Sequence, residues 1–209
     1  MFITLEGPDG SGKTSQVAPL AAFLTAQGYE VVTTREPGGT SISNQVRDIV
    51  LTRMDNIEMH PRTEILLFCA ARAQLVEEFI RPQLGAGKIV ICDRYADSTL
   101  AYQGFGHGVD IGILKNLLAF ATGGLWPDLT LLLDVEAEIG LRRRQKEGEE
   151  WNRLDAYAVQ FHRDVQLGYR RLAEEDPARW RMIDASRPPL EVQNQMQTVV
   201  QKVLENAKP

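Results

Sequence analysis

Two periodicities alternate along the chain, and together they predict its elements. Residues 2–6 form a short apolar run closed by Gly7, whereas residues 15–27 carry apolar positions at helical spacing up to Gly28. Pro19 lies in the first turns of that helix, where proline is best tolerated. Residues 29–34 are rich in β-formers and end in the loop Arg35-Glu36-Pro37-Gly38-Gly39. Residues 41–51 predict a helix. Residues 61–84 predict a long one, with Ile65, Phe68, Cys69, Arg72 and Leu75 three or four apart. Residues 88–92 and 129–133 are unbroken apolar runs, the mark of strands covered on both faces. Between them, Asp97 or Ser98 is placed to cap a short helix through Tyr102, and residues 110–121 predict a helix ended by Gly123-Gly124. Helices over 137–146 and 154–174 flank the break at Gly148-Glu149-Glu150. A strand over 180–183 and a closing helix over 189–206 complete the chain.

Strands alternating with helices in this order predict an α/β fold: a parallel sheet of about five strands with helices on both faces. The 209 residues hold neither an internal repeat nor a low-complexity linker, so a single domain is expected. Ligands on such sheets bind at the carboxyl ends of the strands, so the residues just after each strand are the ones to inspect.

Composition narrows the partners. A net charge of −5 argues against a nucleic-acid partner, which needs a basic footprint, but leaves room for a small anion held by local arginines. No run of apolar residues is long enough to span a membrane, and the first residues lack a signal peptide's basic and apolar regions. Cys69 and Cys92 sit inside apolar segments and read as buried, reduced thiols, which points to the cytoplasm. His60, His107 and His162 have no metal-ligand spacing, and Trp126, Trp151 and Trp180 read as packing residues.

The most specific local signal is Gly7-Pro8-Asp9-Gly10-Ser11-Gly12-Lys13-Thr14, which fits G-x-x-x-x-G-K-[ST] at every fixed position, between a strand and a helix. A chance match in a chain of this length is on the order of one per cent. Glycines let backbone N–H groups approach phosphate oxygens, and the helix N-terminus adds partial positive charge. Lys13 is then expected to reach the β- and γ-phosphates of ATP, and the Thr14 hydroxyl to ligate Mg²⁺. Such loops serve kinases, motors and switches alike, so the second substrate must be defined elsewhere.

Three clusters bear on it: Arg35-Glu36-Pro37-Gly38-Gly39-Thr40; Asp93-Arg94-Tyr95-Ala96-Asp97-Ser98 running on through Ala101-Tyr102-Gln103-Gly104; and Phe68 with Arg72, one helical turn apart. From spacing alone, Phe68 belongs to the core and Arg72 to a solvated face. Taken with Leu67-Phe68-Cys69-Ala70-Ala71-Arg72 and Asn152-Arg153-Leu154-Asp155, however, these motifs make the chain resemble the bacterial thymidylate kinases over nearly its whole length, and the Asp-Arg-Tyr to Tyr-Gln-Gly stretch is the most specific of them.

The resemblance reverses the reading of Phe68 and Arg72. It implies ATP and dTMP as substrates, Mg²⁺ as cofactor, direct transfer of the phosphoryl group to give ADP and dTDP, and a homodimer. Phe68 is then expected to stack on thymine and Arg72 to contact the base edge. Thr99 and Gln103 lie where the family reads the base, with Ser98 beside them. Tyr102 packs on the deoxyribose, and Arg94 binds the acceptor phosphate near the transferring group. Asp9 sits by the 3′-hydroxyl and acceptor phosphate, and Glu36 and Pro37 line the same pocket. In one class of the family a phosphate-loop position is Arg; here that position is Gly10, which implies arginines supplied by a lid over about 142–154. The basic run Arg142-Arg143-Arg144 and, beyond it, Arg153 lie in this lid, with Arg143 and Arg153 the favoured arginines. Either Asp93 or Asp134, both ending apolar runs, suits the metal-side carboxylate, and the family motif favours Asp93. Asp184-Ala185-Ser186-Arg187-Pro188 resembles the loop packing on adenine, with Arg187 as its binding residue.

Overall fold

A computed structural model describes residues 1–52, 59–146 and 157–206. Its five strands are β1 (Phe2–Glu6), β2 (Val31–Arg35), β3 (Ile89–Asp93), β4 (Leu129–Asp134) and β5 (Trp180–Asp184). They form one parallel sheet in the order β2-β3-β1-β4-β5. β1, β3 and β4 are buried on both faces, which is why their sequences are nearly continuous apolar runs. One core, with Phe2, Val90, Cys92 and Leu132, packs under α3 (Pro61–Leu75), α6 (Ile111–Thr122) and α8 (Val159–Glu175). The other, with Ile3, Leu5, Ile91, Leu131 and Leu133, packs under α1 (Lys13–Ala26) and α9 (Pro189–Asn206). The α/β architecture expected from the alternating periods is therefore present, with the apolar residues of β1 and β4 divided between the two faces.

β1 is the switch point. The chain leaves it toward β2 and β3 on one side, and β4 and β5 lie on the other, so the strand ends open a crevice there. The register pairs Leu5 and Arg35 with Asp93, and Asp134 with Asp184, aligning the chemical residues along one edge.

Several boundaries differ from the periodicity. α1 begins at Lys13, two residues early, because its first turn is polar and belongs to the glycine loop. Helix α2 (Ser41–Arg47) is capped by the Thr40 hydroxyl and continues as a π-turn over Asp48–Thr52. The long helix over 61–84 is α3, a π-turn over Val76–Ile80, and α4 (Arg81–Gly85). Pro82 removes one backbone donor just beyond that change of register. Neither Asp97 nor Ser98 caps α5 (Ala96–Thr99). Tyr95 holds that position without a side-chain bond, and both expected caps are drawn into other contacts. Asp97 is fully buried against Arg179, whose guanidinium also faces the rings of Trp126 and Trp180. Helix α7 (Ala137–Lys146) has the bounds its pattern predicts, whereas residues 154–156 of the helix expected next lie outside the described residues. Both cysteines are free and buried.

Candidate active site

The glycine loop joins β1 to α1 at the sheet's switch point. Gly7, Gly10 and Gly12 all have positive φ, at 145°, 70° and 86°, which a side chain would strain. The Lys13 ammonium is buried inside the loop and donates to the carbonyls of Gly7 and Pro8 at 2.9 and 2.7 Å and to the Ser11 hydroxyl at 3.1 Å. Burial and the neighbouring Arg94 charge bring its pKa down to about 7, against the pull of Asp9 and Asp93.

The two carboxylates considered for the metal side have different partners. The Thr14 hydroxyl donates to Asp93 Oδ2 at 2.6 Å. Asp134 is instead gripped by Arg170, whose Nε and Nη2 both reach it, Nη2 at 2.9 Å. A carboxylate already paired with a guanidinium is less available to a cation than one bonded to a hydroxyl.

Arg94 is, among the described residues, the one non-glycine with a positive φ, 67°. Left-handed backbone costs an ordinary residue about 1–2 kcal/mol, and here it turns the side chain back over the loop. Nη1 donates to Gly7 O, Ser98 Oγ and Tyr169 OH, and Nη2 to Asp9 Oδ1 at 2.6 Å and Tyr102 OH at 3.1 Å. The Tyr102 hydroxyl donates to the second Asp9 oxygen at 2.7 Å. Burial by itself raises the Asp9 carboxyl, but Arg94, Lys13 and Tyr102 together hold it below the ordinary range. Arg94 stays firmly charged, since its carboxylate and phenol partners outweigh burial.

Beneath this cluster lies Glu6, fully buried at the end of β1. It accepts from Tyr95 N, Ser98 Oγ and Tyr169 OH at 2.7, 2.6 and 2.9 Å. Burial, reinforced by Asp97, pushes its pKa up to about 7.

A second polar cluster is built on α3. Arg72, 2% exposed, donates through Nε to Glu36 Oε2 at 2.8 Å, through Nη1 to Thr99 Oγ1 at 3.1 Å and through Nη2 to Tyr95 O at 3.2 Å. Arg72 is therefore no solvated charge. Glu36 precedes Pro37 through a cis peptide, and its Oε1 is buried with no hydrogen-bond partner among the described residues. Burial raises the Glu36 carboxyl and Arg72 opposes that rise. One turn from Arg72, Phe68 is half-buried and belongs to neither core cluster. Gln103 donates to Glu64 Oε1 at 2.6 Å, both side chains being buried.

Four of these residues are absent from the sequence expectations. Glu64 is visible once the Phe68–Arg72 spacing is extended back one turn, because all three share a helix face. Glu6 announces itself only as a carboxylate at the end of an otherwise apolar strand. Tyr169 and Arg47 carry no local signal. Arg47 donates to Pro37 O at 2.9 Å, and its charge meets those of Arg35, Arg94 and Asp93.

α7 separates the three consecutive arginines. Arg142 Nε returns to Glu138 O on its own helix. Arg143, favoured from sequence as a lid arginine, donates instead to Ala185 O at 2.8 Å and Ser186 O at 3.3 Å, on the loop after β5. The member whose charge acts on Asp9 is Arg144. Successive helical residues point about 100° apart, so one helix can hold the β5 loop with Arg143 and face the glycine loop with Arg144. Arg153 lies outside the described residues. Arg187 is exposed and bonds Asp184 within its own loop at 3.0 Å.

A parallel sheet whose central strand feeds a glycine loop, with Lys13 inside it and Thr14 against a β3 carboxylate, defines a P-loop NTPase fold. The family model described as thymidylate kinase matches residues 5–196. The chain is 49% identical to the thymidylate kinase of Roseiflexus castenholzii, covering 98% of this chain and 94% of that one. It is 49% identical to that of Thermomicrobium roseum, covering 99% and 97%. A crystal structure of thymidylate kinase from Ehrlichia chaffeensis superposes with a TM-score of 0.77 at 33% identity, covering 96% and 98% of the two chains. The chain belongs to the thymidylate kinase family, whose members phosphorylate dTMP with ATP to give dTDP.

Proposed function

We propose that the arginine cluster around Asp9 is where this chain brings the two substrates' phosphates together. The observation that carries the reading is Arg94, held by five hydrogen bonds between the phosphate loop and the Phe68–Arg72 pocket. On this reading Gly7 to Thr14 cradle the ATP phosphates, with Lys13 exchanging loop carbonyls for phosphate oxygens. Arg94 and Arg47 bind the acceptor phosphate. Phe68 stacks on thymine, Arg72, Thr99 and Gln103 read its edge, and Tyr102 packs on the sugar. Glu36 and Pro37 hold Arg72 and Arg47 in place. Arg144 replaces Arg143 as the arginine of α7 nearest the transferred group, Arg153 remains its expected companion, and the lid of about 142–154 begins on this helix. Arg143 and Arg187 belong to the adenine side.

Transfer is direct and in line. The dTMP phosphate oxygen attacks the γ-phosphorus of ATP, the bond to the β-phosphate oxygen breaks, and ADP leaves. Charge spread over the transferring oxygens is met by fixed guanidinium and ammonium groups, which need no reorganisation as it develops. The oxygen donors Thr14 Oγ1 and Asp93 suit a hard cation and would hold Mg²⁺. Bound there, Mg²⁺ neutralises phosphate charge.

The test is ADP release with ATP and Mg²⁺ against dTMP, dUMP, dCMP, UMP and shikimate. Turnover with dTMP well ahead of the others is expected. Turnover with a different acceptor alone would discard the roles of Phe68, Tyr102 and Gln103.

A homodimer is supported by the outer face of α6, where Ile113, half-buried Leu117 and Phe120 recur at helical spacing and Phe120 is 88% exposed. Light scattering should return twice the 23.4 kDa chain mass, and a monomer at micromolar concentration would contradict it. Free, buried thiols support the cytoplasm as its compartment, which localisation of a tagged chain would test. No described helix is long and apolar enough to cross a membrane.

A further inference from the structure

The phosphate loop and α7 meet backbone to backbone. A Cβ built on Gly140 would lie 2.2 Å from Asp9 O, and one built on Gly10 would lie 2.0 Å from Gly140 O. Neither glycine has room for a methyl group, and the atoms in the way are main chain, which cannot rotate aside. The reasons for the two glycines differ. Gly10 has φ 70°, a conformation that glycine adopts without strain. Gly140 sits inside α7 without a positive φ. There glycine weakens the helix relative to alanine, and its local conformation gives no reason for it.

We propose that Gly140 is a positioning residue for phosphoryl transfer: its missing side chain lets α7 rest on Asp9 and Gly10, and this contact sets where the arginines of α7 stand. Arg143 and Arg144 follow on the next turn. One reaches the Ala185 and Ser186 carbonyls and the other acts on Asp9. A helix lifted by a methyl group carries both away from the loop. The inference rests on the role given to Arg144 above. It also restricts Gly10, since a side chain there meets the α7 backbone before it meets a nucleotide.

The experiment compares G140A with R144A in steady-state kinetics and thermal melting of the whole chain. G140A should lose about 10²-fold in kcat, the scale of an ångström's misplacement at a reacting centre. The KM for dTMP should change far less than kcat, because the side chains that hold Arg72, Thr99 and Gln103 lie outside α7. Its melting temperature should drop by only a few degrees, because the helix-favouring methyl group offsets part of the lost backbone contact. Wild-type kcat in G140A beside a crippled R144A would overturn the positioning role and leave the arginine assignment standing. Wild-type kcat in R144A would overturn the assignment itself. A G140A chain that no longer melted cooperatively would show a structural role for Gly140 and overturn the proposal as well.

Discussion

The Thr14 hydroxyl donates to Asp93 Oδ2 at 2.6 Å, joining the first turn of α1 to the end of β3. Asp134, the other carboxylate ending a central apolar strand, is bound by Arg170. The two looked equivalent as strand-ending acids, and only their partners separate them.

Asp93→Asn should therefore demand more Mg²⁺, because it removes the charge beside Thr14 while keeping the hydrogen-bonding shape. We expect the Mg²⁺ concentration for half-maximal activity to rise by about 10-fold or more, a loss on the scale of mutating a carboxylate that supports a metal site. Asp134→Asn should leave it unchanged. Magnesium titrations of both variants check this, and the reverse pattern would move the metal side to β4.

Glu6 and Lys13 make stability depend on pH in opposite directions. Glu6 titrates near 4.5 in the unfolded chain and at about 7 when folded. Between those values the folded state binds the extra proton, so stability falls as pH rises through the window. Over the whole window the effect is about 3 kcal/mol. Lys13 falls from 10.5 to about 7. Between 7 and 10.5 the unfolded chain binds the extra proton, so that contribution rises with pH. Melting temperature against pH should fall from 4.5 to 7 in the wild type and flatten there in Glu6→Gln. Parallel curves would contradict the buried, protonated Glu6.

Much of the fold was legible because parallel strands and amphipathic helices write their periods directly into the chain. The bounds of α7 and α9 coincide with their patterns. α1 starts earlier than its pattern because Lys13 and Thr14 are polar and belong to the glycine loop as much as to the helix. The P-loop and the Arg72 cluster were legible as motifs, the second only through family resemblance, since spacing alone sent Arg72 to solvent. What escaped were contacts across long sequence separations. Tyr169 meets Arg94 from 75 residues away and Glu6 from 163, and no periodicity encodes such a meeting. The orientation of three adjacent arginines was equally hidden, because it depends on where α7 settles against Gly10.

The most direct test is Arg94→Ala, assayed for ADP formation with saturating ATP, Mg²⁺ and dTMP, alongside a melting curve. Arg94 is the group on which the glycine loop, the segment after β3 and α8 converge through Gly7, Asp9, Ser98, Tyr102 and Tyr169. A stabilising arginine in phosphoryl transfer is worth about 10³-fold or more. The account predicts a loss of that size in kcat from a chain that still melts cooperatively. Turnover within a few-fold of the wild type would contradict it.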